Sequence, residues 1–419
     1  MFGLGRKHQH AGAGAEPAPD TSMSRLRFSG LSLELTLDGS GRLHDALSVV
    51  MPDWRATIGS SGKAPETTVS TIRQDIDGTY SYKSWWAEKP MTGLGIAGAT
   101  CAAVADIIQA YLDERPGTLG LHCGAVRIAG QLVAFTGSYR AGKSTLVTRL
   151  GAEPGCALFC DDILPIEPDG TALALGVQPR LRLPLPSDVS SAFRAHVARG
   201  MTVHDDRYAF ISDPQQAPFA SRERLATMVV LHRQENARAR FHQLDRSEAA
   251  AFLIRQNIAD PGDAETFYNR IETLTKDMVC LTLVYSDLED AAALVRDTFG
   301  AADIPALQEP LGQPLTMTDP DDASEPADVT KTFARAEDVV TRRIGSDVFL
   351  WHLESRHFFR LNAAGAAVWL LLETPLSGDN IASTLQEIFP GIPAQEIEQD
   401  IAKLMGQMET RALIMEYPS

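Results

Sequence analysis

One run constrains the fold of this chain more than any other. Leu132-Val133-Ala134-Phe135-Thr136 reads as a buried strand, and Gly137-Ser138-Tyr139-Arg140-Ala141-Gly142-Lys143-Ser144-Thr145 follows it directly. Leu146, Val147 and Leu150 then supply the apolar face of a short helix that begins at the lysine. This is the pattern G-x-x-x-x-G-K-[ST] in the strand–loop–helix setting that gives it meaning. The glycines matter because backbone N–H groups must turn inward toward anionic oxygens, where side chains crowd the ligand. The first amides of the helix reinforce such an anion site. In this pattern Lys143 places a point charge on the outer phosphates of a nucleotide, and the Ser144 hydroxyl can ligate Mg²⁺. The competing reading is a glycine turn beside a surface lysine.

A second short strand, Ala157-Leu158-Phe159-Cys160, ends in Asp161 and Asp162. Carboxylates at a strand's end face ligand in an open α/β sheet. Of two adjacent acids, one can hold Mg²⁺ and the other can accept the proton of an attacking hydroxyl. Helix capping and surface ion pairing are the plainer alternatives. His122 is a candidate for proton transfer, though a lone histidine is often only a packed, hydrogen-bonded group. Arg207, within Val203-His-Asp-Asp-Arg-Tyr208, is a candidate cation for the transferred phosphate. Arg180 and Arg182 are its rivals, and surface ion pairing is the alternative for all three.

Strands alternate with helices through the middle of the chain, which predicts an α/β core. Met228–His232 and Cys280–Tyr285 are apolar strands, and Ala249–Ala259 is a helix between them. Residues 98–112 carry a helical stripe through Cys101, Val104, Ile107, Ile108 and Tyr111. Residues 25–90 read as β-rich, with strict alternation over Leu31–Leu37 predicting one wet strand face. Trp85 and Trp86 could line a pocket, and packing against a core or an adjoining domain is the plainer expectation. The Ala/Gly/Pro-rich start, to residue 24, is expected to be a disordered tail. It lacks the continuous apolar stretch of a signal peptide. No apolar run in the sequence reads as long enough to cross a bilayer. A cytoplasmic protein without stable membrane insertion is therefore expected.

The 38 basic and 54 acidic residues leave a net charge of −16, which opposes a nucleic-acid backbone. Five cysteines include Cys156 and Cys160 with three residues between them, which read as buried thiols rather than zinc ligands. Glu309–Pro314 and Asp319–Pro326 are poor in apolar residues and predict a linker over 306–328. Beyond it, Val348–Leu353 and His357–Leu361 predict a hairpin. Helices at about 363–372, 379–388 and 394–410 follow, with Pro393 near the start of the last. Residues 395–409 carry Glu396, Glu398, Asp400 and Glu409 against Lys403 alone, which disfavours DNA. A peptide added along an exposed strand edge suits that unit better, and a purely structural or dimerising role is the alternative.

Leu121-His122-Cys-Gly-Ala-Val-Arg-Ile, the glycine loop and Leu158-Phe-Cys-Asp161-Asp162 together resemble the catalytic half of the HPr kinase/phosphorylase family. The resemblance spans roughly 95–300 and is strongest over 120–162. It implies ATP and Mg²⁺ as cofactors, Gly137–Thr145 as the phosphate loop, His122 assisting phosphate chemistry, Asp161 as acid/base, and Asp162 with Ser144 near the metal. It also leaves room for a homo-oligomer. The loop centre here is Ser138-Tyr139-Arg140 rather than glycine-rich, Thr145 stands where carbohydrate-regulation enzymes have glutamate, and the downstream phosphorylase signature is missing. The broader HPr-kinase-like set, including kinases of lasso peptides and of free serine, matches better. Residues 329–416, through Phe359-Arg-Leu-Asn362-Ala-Ala-Gly-Ala-Ala-Val-Trp369 and Ile381–Phe389, resemble the PqqD family, which implies a winged-helix-like domain receiving the leader of a modified peptide.

The expectation is then an α/β P-loop kinase core of HPr-kinase C-terminal-domain type over 96–305. A β-rich segment over 25–95 precedes it, and a small winged-helix-like PqqD domain over 329–419 follows. The expected activity is phosphoryl transfer to a Ser or Thr hydroxyl of a peptide or small protein. A nucleotide-regulated peptide-binding module and a small-molecule hydroxyl kinase are the two alternatives.

Overall fold

A computed structural model describes residues 23–59, 68–138, 140–300 and 324–417. Tyr139, most of the expected tail and most of the expected linker lie outside the described residues. Met23 and Ser24, assigned to the tail from sequence, open the first strand, Met23–Phe28.

The first sheet has six strands in the order Ala56–Gly59, Met23–Phe28, Leu33–Asp38, Thr68–Gln74, Tyr80–Lys83 and Met91–Leu94. The wet face expected over Leu31–Leu37 is covered at Glu34, which is 3% exposed. Arg25 and Arg27 on the neighbouring strand lie against its carboxylate at 3.4 and 2.6 Å. The segment is also not wholly β. A helix, Gly41–Val50, buries Leu43, Ala46, Leu47 and Val50, a helical spacing that the flanking Gly39-Ser40-Gly41 obscures.

The helix Ile96–Asp113 packs on this sheet. Leu35 and Tyr82 share its core with Ala103 and Ile107, and Leu173, Leu175 and Phe210 join from farther along the chain. A boundary near residue 95 therefore runs through one continuous core. The same helix corrects the membrane reading of the sequence. It is long and apolar enough to cross a bilayer, yet 61% of it is buried inside the protein.

The central sheet has nine strands. Its middle is a parallel trio: Gln131–Gly137 pairs with Arg222–Arg233, which pairs with Val279–Tyr285. Antiparallel strands Gly124–Ile128 and Cys156–Cys160 extend one side. The start of the long strand Arg222–Arg233 also carries a second arm, Thr171–Leu173, Ile163–Ile166 and Leu119–His122. Apolar residues on both faces of the trio are buried, Phe135, Val229 and Leu281 on one and Ala134, Met228 and Val230 on the other, as a helix-covered parallel sheet requires. Lys143–Gly151 and Leu288–Phe299 share one core with the trio. Arg246–Gln256 and Ala264–Asp277 share another with it.

The C-terminal unit has the expected hairpin, Asp347–His352 with Phe358–Leu361, and helices Ala363–Leu371, Gly378–Ile388 and Ala394–Thr410. Every residue of Asp347–His352 is buried, because the strand faces two cores. Val348 and Leu350 point into the unit's own core. Phe349 and Trp351, one step out of phase, join the core of the central region with Phe267 and Tyr268. Trp351 stacks on Phe358 at 4.7 Å and meets Phe267 edge-on at 5.8 Å. Arg360–Glu248 (2.7 Å), Arg356–Asp260 (2.8 Å) and Arg342–Glu272 (3.2 Å) ring the contact.

Trp351→Ala is expected to cost about 3–5 kcal/mol of stability, the range for deleting a large buried aromatic. Denaturant unfolding measures it. A loss below about 1 kcal/mol, the level of ordinary surface changes, would mean that the two units do not share this core in solution.

Candidate functional site

The glycine loop sits at the carboxyl ends of the parallel trio, where Gly137 lies level with Leu231. Gly137 (φ +148°) and Gly142 (φ +96°) both adopt backbone angles that side chains avoid. Space forbids substitution as well. A Cβ on Gly137 would lie 2.9 Å from the Leu231 carbonyl, and one on Gly142 would lie 2.5 Å from the Tyr285 hydroxyl. That hydroxyl donates to the Ala141 carbonyl at 2.7 Å and braces the loop from the end of its strand. Ser138 and Arg140 are exposed, and Arg140 is itself left-handed at φ +66°. Lys143 opens the helix with Ser144 and Thr145 in its first turn. Its ammonium donates to the carbonyls of Gly137 (3.2 Å) and Ser138 (3.4 Å), so it folds back over its own loop.

Asp161 and Asp162 follow the strand Cys156–Cys160 and occupy opposite environments. Asp161 is 9% exposed. Its Oδ2 accepts from the Arg180 backbone N–H at 2.8 Å, while its Oδ1 is buried with no partner among the described residues. Burial, then the charge of Asp162, pushes its carboxyl up to about 6, against the pull of the Arg180 N–H and the Ser144 hydroxyl. Asp162 faces solvent, with 56% of its side chain exposed. Partial enclosure by its neighbours would raise its carboxyl, but the His122 hydrogen bond and the charges of His122, Arg180 and Lys143 outweigh this and hold it below the usual value. Two adjacent acids whose environments drive them apart suit one proton acceptor and one permanent anion.

Sheet register explains His122. It lies across from Ile163, and the Cys123 N–H donates to the Asp162 carbonyl at 3.0 Å. The imidazole Nε2 therefore reaches Asp162 Oδ1 at 3.3 Å. Of the arginines weighed from sequence, Arg180 is the one built into the site. It stacks over Tyr208 at 4.8 Å, reaches Cys101 Sγ at 2.7 Å, and lines a cavity beside both acids. Arg207 lies elsewhere. It is exposed at the turn after Met201–His204 and does not line that cavity.

Of the two readings of Trp86, pocket lining fits the structure, since it is 64% exposed and lines the same cavity. Tyr285 and Asp106, which holds the Trp86 indole at 3.0 Å, were not singled out from sequence. A tyrosine ending a buried strand and an aspartate inside an apolar helical stripe were the signals available.

A second concavity, of about 580 Å³, opens on the C-terminal unit. Phe359, Leu361, Val368, Leu385, Ile401 and Leu404 supply apolar walls, and Glu248 and Arg255 of the helix Arg246–Gln256 contribute to its lining. Phe358–Leu361 is an edge strand, paired on one side with Asp347–His352 and on the other with no strand among the described residues. A free edge beside an apolar groove is the geometry that accepts an extended peptide.

Residues 347–414 match the family described as Coenzyme PQQ synthesis protein D (PqqD). No curated protein matches the sequence significantly. Among solved structures, "TbiB1 in Complex with the TbiA(beta) Leader Peptide" aligns with 20% of this chain and 99% of its own, at 23% identity and a TM-score of 0.19. The Hpr(Ser) kinase/phosphatase from Coxiella burnetii aligns with 42% of this chain and 94% of its own, at 13% identity and a TM-score of 0.21. Both superpositions are too loose to carry an argument about this chain.

Proposed function

We propose that this protein is a kinase with an HPr-kinase-like core. It transfers the terminal phosphoryl group of ATP to a Ser or Thr hydroxyl of a peptide or small protein, and its PqqD-type unit recruits that acceptor, in the making of a modified peptide. The observation that carries the reading is the convergence of three things at one sheet end. These are a loop closed to side chains at both glycines, a lysine with Ser144 at the helix start, and a buried carboxylate oxygen with no partner among the described residues.

In this reading Gly137–Thr145 receives the phosphates and Lys143 leaves its loop carbonyls for them. Ser144 and Asp162 would hold Mg²⁺, which would supply charge neutralisation on the phosphates. Asp161 takes the proton of the acceptor hydroxyl. The hydroxyl oxygen forms a bond to the terminal phosphorus, the bond from phosphorus to the bridging oxygen of ATP breaks, and ADP leaves. His122 holds Asp162 in its ionised form, and Arg180 adds positive charge beside both acids.

Support for a peptide acceptor comes from the family match over 347–414 and from the edge strand beside its groove. Terminally labelled ATP, Mg²⁺ and a size-fractionated extract of the native cell test the proposal. Label is expected in one small peptide fraction. Leu404→Glu places a charge on the apolar groove wall and is expected to cut that labelling about tenfold or more while leaving ATP affinity unchanged. Free phosphate with no labelled acceptor would favour a nucleotide-driven binding module. Labelling that ignores Leu404→Glu would favour a small-molecule acceptor.

A further inference from the structure

The cavity beside the acids is larger than proton transfer alone requires. It has a volume of about 170 Å³ and runs from Asp161 and Asp162 beneath the helix Ile96–Asp113. Val104, Ile108, Phe159, Leu175, Val177 and Phe210 make most of it apolar. A dry apolar cavity of about 150 Å³ admits a benzene ring. Nothing in this lining suits a phosphate, because its one cation, Arg180, is already engaged by Tyr208 and Cys101. The acid end is different. Asp161 lines it, nine-tenths buried, with Oδ1 lacking any partner among the described residues.

Trp86 gives an independent observation. The ring is 64% exposed, yet its orientation is fixed, because the indole N–H donates to Asp106 Oδ1 at 3.0 Å. Asp106 is 1% exposed and also accepts from Ser70 Oγ (2.5 Å), Tyr82 Oη (2.6 Å) and Ser84 Oγ (2.8 Å). A fully buried carboxylate is thus committed to a network that aims an exposed aromatic ring at the cavity. Fixing a contact surface before binding reduces the ordering cost of binding.

We propose that this cavity is the acceptor subsite, and that it takes a large apolar side chain, aromatic or branched, directly adjacent to the Ser or Thr hydroxyl that is phosphorylated. Trp86 forms its outer wall and Asp161 its reacting end. Asp106 of the helix Ile96–Asp113, held by Ser70 and Tyr82 of the N-terminal sheet, acts through Trp86 as a specificity device for the acceptor. This inference rests on the phosphoryl-transfer reading, and its test separates the two.

The probes are the dipeptide amides acetyl-Ser-Phe-NH2, acetyl-Phe-Ser-NH2 and acetyl-Ser-Ala-NH2, presented to the full chain with Mg-ATP. At least one Phe peptide is expected to show a KM about tenfold or more below that of the Ala peptide, the scale set by one apolar group in a fitted pocket. Ala105 is exposed at the cavity rim, so Ala105→Phe fills the space without disturbing a core. It is expected to remove the advantage of the Phe peptide over the Ala peptide while leaving ATP affinity unchanged. Trp86→Ala, also at an exposed position, is expected to weaken the Phe peptide several-fold.

Transfer that proceeds equally on all three peptides, or an Ala105→Phe effect that is the same for each, would overturn the subsite and leave the kinase standing. If no peptide is phosphorylated, saturation-transfer NMR of the same probes decides. Contact with the Phe ring that Ala105→Phe abolishes supports the cavity while the transfer reading falls. No contact at millimolar peptide overturns the cavity as well.

Discussion

Lys143→Ala is expected to lower phosphoryl transfer by at least a hundredfold, the scale for losing a preorganised group that meets developing charge, while leaving the fold intact. The two halves of this expectation have separate causes. Lys143 makes two long hydrogen bonds, to the Gly137 and Ser138 carbonyls, and burial pulls its ammonium below the usual lysine value against the attraction of nearby Cys123, Asp162 and Asp161. An ammonium in that state contributes little to the resting protein, so stability should change by no more than about 1 kcal/mol. The loop also has supports that the substitution does not touch, namely the Tyr285 hydroxyl on Ala141 and the glycine angles. Circular dichroism and thermal unfolding check the fold, and label transfer checks the activity. A variant that unfolds would assign Lys143 a structural role. A folded variant that still transfers phosphate at the original rate would sink the nucleotide-site assignment.

What was legible in the sequence divides by distance along the chain. The loop and the acid pair were legible because each is a local pattern whose strand and helix neighbours are its own. His122 was legible as a candidate only, and its meaning comes from register, since pairing with Ile163 sets the imidazole beside Asp162. Arg180 could not be chosen over Arg207 from spacing, because its claim rests on a backbone N–H to Asp161 and a ring 28 residues farther on, Tyr208. Tyr285 braces a loop 144 residues before it, and no pattern announces that contact.

The orientation of the exposed Trp86 ring has its reason in Asp106, a buried carboxylate 20 residues farther along the chain. The hairpin of the C-terminal unit was found correctly. Its burial on both faces was not, because Phe349 and Trp351 face a partner core that the hairpin's own sequence does not reveal. Across the molecule, the residue patterns are local and their positioning is long-range.

The pH dependence of Asp161 gives the second large expectation. The folded value lies near 6, above the ordinary 3.8. The folded protein therefore holds this proton more tightly than the unfolded chain does. The resulting stabilisation is complete below pH 3.8 and is lost as pH rises through 6. Two pKa units correspond to roughly 3 kcal/mol. Asp162 has the opposite sign, with a depressed folded value whose stabilisation disappears only at pH values below the ordinary carboxylate range, so the two windows do not overlap.

Asp161→Asn removes the titrating group. Without ligands, the variant is expected to gain stability relative to the parent at pH 8, by up to roughly 3 kcal/mol, and to lose that advantage toward pH 4. Activity should move the other way. A carboxylate that accepts the hydroxyl proton must be ionised, so transfer by the parent protein should rise through an acid limb near pH 6. The Asn variant should lose about a hundredfold or more in rate, and its residual activity should lack that limb. Urea unfolding across pH 4–8 and initial rates over the same range measure the two halves. A rate limb near pH 6 that survives in the Asn variant would assign the proton acceptor elsewhere. A parent protein whose stability does not fall between pH 4 and 8 relative to the variant would show that the Asp161 carboxylate is not held in the buried setting that the base role requires.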